Sequence, residues 1–119
     1  MIEKFGIGID ITDVDQFKKI PYSIKPNFYE NIFLPSEIKY CLKYANPYEH
    51  FAGKFAIKEA VKKSINEKIP MLSIETSHSN SKPTVNLLGT WQKKYQFLAS
   101  ISHEKEFAIA VVISFNNSE

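Results

Sequence analysis

Two carboxylate side chains in this 119-residue chain could bind a divalent cation if the fold brings them together. Asp10 closes an apolar, alternating run, where burying a charge is costly unless it is paired or bound to a metal. Glu59 lies in a stretch with helical periodicity, and Ala52, Ala56 and Lys63 share its stripe. Carboxylates from separate elements, together with waters and substrate phosphates, are ligands that Mg²⁺ commonly takes. The two residues are therefore a candidate magnesium site.

Simpler interpretations of both carboxylates stay open from the residues alone. Asp10 could face water at the end of its strand, or stand beside a helix N-cap. Glu59 could form a surface ion pair with Lys63, four residues further on, which would contribute only about 0.2–0.5 kcal/mol. The small residues on the stripe favour a different role, in which a neighbouring element or a ligand comes close to the helix.

Hydrophobic periodicity predicts one strand, then helices, then mostly adjacent strands, which is typical of an α+β fold with an antiparallel sheet. Gly6 and Gly8 share a face of the first strand with Asp10, and glycines there let a backbone or a ligand approach. We predict one domain over residues 1–119, with a disordered tail over 116–119. The predicted elements are strands over 5–11, 71–76 and 84–88, a short helix capped by Thr12 or Asp13 and ending at Ile20, helices over 27–33, 35–44 and 47–66, a turn or short helix over 89–94, and a hairpin of 97–102 with 107–115.

Composition argues against several classes of function. The formal net charge is only +2 and no basic stripe is evident, so we expect no nucleic-acid partner. No run approaches the roughly eighteen apolar residues of a membrane span, and no signal peptide is evident, so we expect a cytoplasmic protein. Lysine supplies all fifteen positive charges, and it binds phosphate as a point charge rather than as a planar fork. Cys41, the only cysteine, is expected to be a buried structural thiol.

Four segments resemble, in order and in spacing, the holo-acyl-carrier-protein synthases of the 4′-phosphopantetheinyl transferase superfamily. Each motif alone is weak, whereas four in register along nearly the whole chain are specific. The segments are Gly6-Ile7-Gly8-Ile9-Asp10-Ile11, similar to the family's opening strand; Ile32-Phe33-Leu34-Pro35-Ser36-Glu37, similar to its short Pro/Thr-x-Glu segment; Phe51-Ala52-Gly53-Lys54-Phe55-Ala56-Ile57-Lys58-Glu59-Ala60, similar to its signature helix; and Ser100-Ile101-Ser102-His103-Glu104-Lys105-Glu106-Phe107-Ala108-Ile109-Ala110, similar to its Ser-x-Ser-His hairpin.

The resemblance implies transfer of 4′-phosphopantetheine from coenzyme A to a serine of apo acyl carrier protein, with release of 3′,5′-ADP, in fatty acid biosynthesis. Asp10 and Glu59 would be the magnesium ligands, with manganese as an alternative ion. Glu59, or a water that it orients, would take the serine proton. Lys54, Lys58 and Lys63 would contact phosphates of coenzyme A, and Lys63 would also act in catalysis by steadying the leaving group.

The resemblance also implies a homotrimer with sites between subunits. His103 would then lie near the coenzyme or a subunit boundary. From the residues alone, a histidine at the tip of a hairpin is more simply a solvated turn residue.

Two departures from the family concern the substrates more than the chemistry. Residues 64–70 contain no glycine where the family usually has a glycine-rich loop, and Pro70 has no amide to offer a phosphate. Gln16 takes a position usually held by an arginine that docks the acidic carrier protein. The lysines that could take over this docking, or form only a solvated face, are Lys18, Lys19 and Lys25.

The sequence therefore favours a working transferase. The main alternative is a non-catalytic protein that retains the fold and binds coenzyme A or a carrier protein, for which the missing glycines argue. A plain structural or interaction domain is a third hypothesis, but it leaves the register of the four motifs unexplained.

Overall fold

The protein has the predicted α+β fold, in a computed structural model that describes residues 1–118. The elements are β1 (Phe5–Asp13), α1 (Asp15–Lys18), α2 (Pro26–Glu30), α3 (Pro35–Leu42), α4 (Pro47–Ser64), β2 (Ile74–Ser79), β3 (Lys82–Leu87), β4 (Tyr95–Glu104) and β5 (Phe107–Asn116). β1, β5 and β4 form a three-stranded sheet in that order, while β2 and β3 form a hairpin. All the pairings are antiparallel, as predicted.

Small residues allow α4 to lie directly on the inner face of the three-stranded sheet. Ala56 and Ala60 of α4 are fully buried. A Cβ atom on Gly8 of β1 would overlap the carbonyl oxygen of Ala60, and a Cβ atom on Gly6 would overlap that of Ser64. The glycine face of β1 therefore accommodates the backbone of a helix at these two positions.

Gly8→Ala is expected to lower the free energy of unfolding by about 1–3 kcal/mol or more, because the added methyl group overpacks the contact between β1 and α4. Gly53→Ala is the matched control. Its Cβ atom would lie 2.7 Å from Cδ1 of Ile101, a side-chain end that can move, and alanine favours a helix by about 1 kcal/mol. Urea unfolding followed by circular dichroism measures both. A Gly8→Ala variant as stable as the parent would contradict this close packing.

Two groups of buried apolar side chains pack around α4. Cys41 is fully buried in the second group, and burial raises its pKa to about 12, which confirms a structural thiol. The first group comprises Ala56, Ile57, Ala60, Val61, Ile65, Ile69, Ile74, Val85, Leu87, Ala110 and Val112. The second, rich in aromatic rings, comprises Val14, Phe17, Tyr29, Phe33, Ile38, Cys41, Phe51, Ala52 and Ala108.

Several element boundaries differ from the prediction. β1 continues to Asp13, so Asp10 lies inside the strand rather than at its end. The hairpin of β4 and β5 turns at residues 105–106, so His103 is not at the tip but within β4, opposite Ala108. The N-cap of α1 is Val14 rather than Thr12 or Asp13, although the Asp13 carboxylate accepts the N–H of Asp15, and the helix ends at Lys18 rather than at Ile20. No helix of residues 1–118 is long and apolar enough to cross a membrane.

Three residues of the predicted disordered tail form hydrogen bonds with other parts of the chain. Asn116 is the last residue of β5, and the N–H of Asn117 donates to the carbonyl oxygen of Lys94. The carbonyl oxygen of Ser118 accepts a hydrogen bond from Lys4. Residues 116–118 therefore make specific contacts with the rest of the protein, whereas Glu119 lies outside the described residues.

Candidate active site

A buried ion pair connects α3 to α4. Lys58 Nζ lies 2.7 Å from Glu37 Oε1, and both side chains are fully buried. The same ammonium donates to the carbonyl oxygens of Ile32 at 2.8 Å and Met71 at 3.1 Å. Burial lowers the pKa of Lys58, and the charge of Glu37 opposes that shift. All three N–H groups of Lys58 thus have acceptors inside the protein, and the predicted contact with a phosphate would require one of these bonds to break.

The second oxygen of Glu37 extends this network to β2 and to Lys54. Glu37 Oε2 accepts the backbone N–H of Thr76 at 2.7 Å and its hydroxyl at 2.6 Å. Lys54 Nζ donates in turn to Thr76 Oγ1 at 3.1 Å and lies 4.7 Å from the centre of the Tyr40 ring. The network fixes α3, α4 and β2 relative to one another. The sequence placed Glu37 in a motif but gave it no role, and Thr76 carried no signal.

Asp10 and Lys63 meet across the interface between β1 and α4. Lys63 Nζ lies 3.2 Å from Asp10 Oδ1 and donates to the carbonyl oxygen of Ile9 at 3.0 Å. The hydroxyl of Thr12 donates to Asp10 Oδ2 at 2.7 Å. These contacts orient the Asp10 carboxylate, which faces the same side of β1 as the two glycines.

Glu59 lies one helical turn before Lys63, on the same side of α4. Its carboxylate pairs with Lys62 Nζ at 3.6 Å, and its side chain is about a third exposed. The simple i,i+4 pair of Glu59 with Lys63 is not formed, because Lys63 reaches across to Asp10 instead. Asp10 and Glu59 therefore border the region of the surface around Lys63.

The chemistry of these side chains fits a magnesium ion. Within residues 1–118 there is no group of three or more histidine, cysteine, aspartate or glutamate side chains arranged to hold a metal ion. Mg²⁺ does not need such a cage, since it is usually bound by one or two carboxylates while waters and substrate phosphates complete its shell. The ammonium of Lys63 already occupies a cation position at Asp10 Oδ1. Asp10 and Glu59 are the residues that would hold the ion.

The three histidines of the chain gather on the other side of α4. His50 of α4, His78 of β2 and His103 of β4 line one small cavity together with Lys54. A Cβ atom on Gly53 would lie 2.7 Å from Cδ1 of Ile101 and 3.3 Å from Cε1 of His103, so this glycine leaves room for both side chains. Strand pairing places His103 on the same sheet face as Thr12 and Asp10, because Ala108 pairs with both Thr12 and His103.

Two tyrosines contact the other imidazole rings, namely Tyr40 of α3 and Tyr44, which follows the end of that helix. The ring of His50 stacks on Tyr44 with 3.7 Å between centres, and that of His78 stacks on Tyr40 at 5.0 Å. Sequence reasoning missed His50 and His78, since no motif surrounds either residue. His50 precedes Lys54 by one turn of α4, whereas only the packing of α3 against α4 and β2 brings His78 beside Lys54.

The histidines make stability dependent on pH. Burial lowers the pKa of His50 and of His78. The pKa of His50 is lowered further by His103 and Lys54, and Glu49 opposes this shift. The pKa of His78 is lowered further by Lys54 and His50. The unfolded chain therefore binds more protons below about pH 6.5, and stability is lost there as the pH falls. Urea unfolding at several pH values should show a smaller loss in His50→Gln/His78→Gln than in the parent. An equal loss in both proteins would contradict this account.

Apart from Lys58, which is buried with Glu37, the predicted site residues form two groups on opposite sides of α4. Glu59 follows Lys54 by five residues, which places their side chains about 140° apart around the helix axis. Lys63, one turn after Glu59, reaches Asp10 of β1, whereas Lys54 faces β2 and the histidines. The first group could act on a pyrophosphate and a metal, and the second could bind a further anionic group.

The two departures in the sequence have clear structural settings. Ile65 and Ile69 of the glycine-free segment are buried in the core, and Glu67 accepts a hydrogen bond from the Tyr95 hydroxyl at 2.6 Å. The charge of Glu67 is therefore engaged within the protein, together with Lys94 at 3.8 Å. The lysines considered for docking are all exposed, namely Lys18, Lys19 and Lys25.

The chain belongs to the 4′-phosphopantetheinyl transferase superfamily, whose family model matches residues 6–112. Among curated proteins it is similar to the holo-[acyl-carrier-protein] synthase of Thermodesulfovibrio yellowstonii, with 38% identity over 116 residues that cover 95% of this chain and 98% of the relative. It is also similar to the holo-[acyl-carrier-protein] synthase of Chlamydia trachomatis serovar L2, with 36% identity over 118 residues that cover 92% and 98%.

The fold is also similar to those of solved holo-acyl-carrier-protein synthase structures. A holo-(acyl-carrier-protein) synthase from Bacillus anthracis in complex with CoA (3′,5′-ADP) matches with a TM-score of 0.78 and 29% identity, covering 94% of this chain and 96% of that one. The holo-[acyl-carrier-protein] synthase of Helicobacter pylori in complex with coenzyme A matches with a TM-score of 0.76 and 34% identity, covering 91% and 98%.

Proposed function

We propose that this chain transfers the 4′-phosphopantetheine group of coenzyme A to a serine of an apo acyl carrier protein, in a magnesium-dependent reaction that releases 3′,5′-ADP. The observation that carries the proposal is the contact between Lys63 and Asp10. Lys63 pairs with Asp10 and lies one helical turn after Glu59, which supports a site that uses both carboxylates. The relatives named for this activity support the substrates. The same proposal places the protein in the cytoplasm and in fatty acid biosynthesis.

The reaction exchanges one bond to phosphorus for another. The serine oxygen forms a bond to the β-phosphorus of coenzyme A, and the bond from that phosphorus to the oxygen retained by 3′,5′-ADP breaks. Glu59, or a water that it orients, takes the serine proton. Lys63 stabilises negative charge on the leaving group, for which its half-exposed ammonium is free to shift from Asp10. A bound Mg²⁺, or Mn²⁺ in its place, would neutralise charge on the pyrophosphate.

A second anionic group of coenzyme A would bind on the other side of α4. Lys54 supplies a buried ammonium there, and His103 borders the same cavity. Lys58 is assigned a different role from the one its motif implies. Its donors are all used within the protein, so it would hold α4 in place rather than touch a phosphate.

The deciding experiment mixes the protein with coenzyme A, Mg²⁺ and apo acyl carrier protein and follows the carrier by intact-mass spectrometry. The expected result is a mass gain of one phosphopantetheinyl group, located on a single serine and lost when EDTA removes the metal. Absence of any gain with several carriers, while coenzyme A still binds, would favour the non-catalytic alternative. The argument for this alternative is the absence of glycine from residues 64–70.

We further propose that the protein is a homotrimer with sites between subunits. The outer face of the sheet is apolar yet uncovered: Ile7 is 69% exposed, Ile9 62%, Ile11 61% and Leu98 74%. Patches of this kind mark sites of protein association. Subunits packed through this face could bring the Asp10 group of one copy near the Lys54 group of the next, which would unite the two groups of site residues.

Ile7→Lys is expected to give monomers and to reduce transfer, because a charge on the outer face of β1 disfavours packing between subunits. Ile24→Lys is the matched control, since Ile24 is also 69% exposed but lies outside the sheet. Sedimentation velocity measures the mass of each species. A parent protein that sediments as a monomer while fully active would contradict the proposed trimer.

A further inference from the structure

The Lys54 ammonium is buried without a carboxylate partner. Its residue is only 4% exposed, yet none of the ion pairs formed by residues 1–118 involves Lys54. A buried charge without a directly paired carboxylate is costly, and here burial lowers the pKa of Lys54 from its usual value, although the charge of Glu37 opposes that shift. An anionic ligand in the adjoining cavity would supply the missing negative charge.

Both hydrogen-bond acceptors of Lys54 belong to one residue. Its Nζ donates to Thr76 Oγ1 at 3.1 Å and to the Thr76 carbonyl oxygen at 3.3 Å. An ammonium has three N–H groups, so one remains for a ligand. The position of this donor therefore depends on Thr76.

The Thr76 hydroxyl is itself fixed in direction. It has a single proton, which it donates to Glu37 Oε2 at 2.6 Å, so its lone pairs are left to accept from Lys54. The Glu37 carboxylate is held by the backbone N–H of Thr76 and, on its other oxygen, by Lys58 and the N–H of Leu34, each at 2.7 Å. The chain of bonds runs from Glu37 through Thr76 to Lys54 without a break.

We propose that Thr76, oriented by Glu37, is a positioning residue that holds the Lys54 ammonium where an anionic group of coenzyme A binds. The inference rests on the proposed function and adds to it a residue that no sequence motif indicated. It makes the hydroxyl of Thr76 a determinant of coenzyme affinity, while leaving the transfer step at Asp10 and Glu59 untouched.

The test compares Thr76→Val with Thr76→Ser. Valine keeps the shape but removes the hydroxyl, whereas serine keeps the hydroxyl. Since a hydrogen bond to a charged group contributes about 1.5–3 kcal/mol, Thr76→Val should weaken binding of 3′,5′-ADP about tenfold or more by calorimetry. The KM for coenzyme A should rise by a similar factor while kcat stays within about twofold. The reason is that the contact between Lys54 and the coenzyme, which Thr76 positions, is made equally before and during the reaction. Thr76→Ser should restore both values.

A double variant separates positioning from general damage. If Thr76 acts through Lys54, then adding Thr76→Val to Lys54→Met should weaken 3′,5′-ADP binding no further. Thr90→Val, at an exposed hydroxyl on another segment, controls for the substitution itself. Melting temperatures confirm that each variant is folded.

The outcomes are distinct. Parent-like affinity of Thr76→Val would overturn the inference alone, as would an equal additional loss in the Lys54→Met background. A parent protein that neither binds 3′,5′-ADP nor modifies a carrier would overturn the proposed function and this inference with it.

Discussion

Asp10→Asn and Glu59→Gln should each reduce phosphopantetheinyl transfer about a thousandfold or more, while the protein stays folded. Each amide keeps the size of the side chain but removes a negative charge that would hold the metal, and metal stabilisation of transition-state charge is worth several kcal/mol. The rate is measured as the mass gain of apo carrier protein over time at saturating coenzyme A. The alanine variants are expected to behave in the same way.

Stability should barely change in these two variants, which separates a catalytic loss from unfolding. Asp10 does lose its ion pair with Lys63, but the lysine is 55% exposed, and such pairs contribute little in water. Glu30→Gln, an exposed carboxylate on α2, provides a control that should keep full activity. If either Asp10→Asn or Glu59→Gln retained the parent rate, the metal-site assignment would be wrong.

Glu37→Leu is expected to have the largest effect on folding, lowering the free energy of unfolding by about 3–5 kcal/mol. The substitution leaves the fully buried Lys58 ammonium without its carboxylate partner and removes the acceptor for Leu34 and Thr76. Urea unfolding followed by tryptophan fluorescence or circular dichroism measures the change. A variant that is unfolded without denaturant would agree with the prediction.

The double variant Glu37→Leu/Lys58→Met tests the physical cause. Removing both charges should cost less than removing Glu37 alone, because no buried charge is then left without a partner. If the double variant were less stable than Glu37→Leu, the loss would come from the packing of α3 rather than from the unpaired ammonium.

Local patterns were enough to predict most of the helices and strands, and also that another segment packs closely against the glycines of β1. Alternation with glycines on one face predicted the first strand, and the structure confirms that a backbone comes close to Gly6 and Gly8. Pro35 and Pro47 were placed correctly at the start of their helices, since proline suits the first turn. Helix ends were predicted less well, because the final turn depends on what the helix packs against.

The family could also be predicted from the sequence, because the order and spacing of the four motifs are properties of the sequence itself. The same holds for the choice of two carboxylates as candidate metal ligands, because it depends on residue type and position in a motif. The tertiary fold determined which side chains the lysines of α4 pair with. Lys63 was expected to pair with Glu59 or a phosphate, and instead reaches Asp10, 53 residues away in sequence. Lys58 was expected to face a ligand, and instead lies in the interior with Glu37.

By itself, then, the sequence determined the α+β class, the superfamily and the candidate metal ligands Asp10 and Glu59. Only the tertiary structure decided that the site residues form two groups on opposite sides of α4, and that Thr76 and His78 belong beside Lys54. Periodicity along a chain specifies which face of an element a residue occupies. Which faces meet depends on strand register and helix packing between segments far apart in sequence, and no local pattern records those contacts.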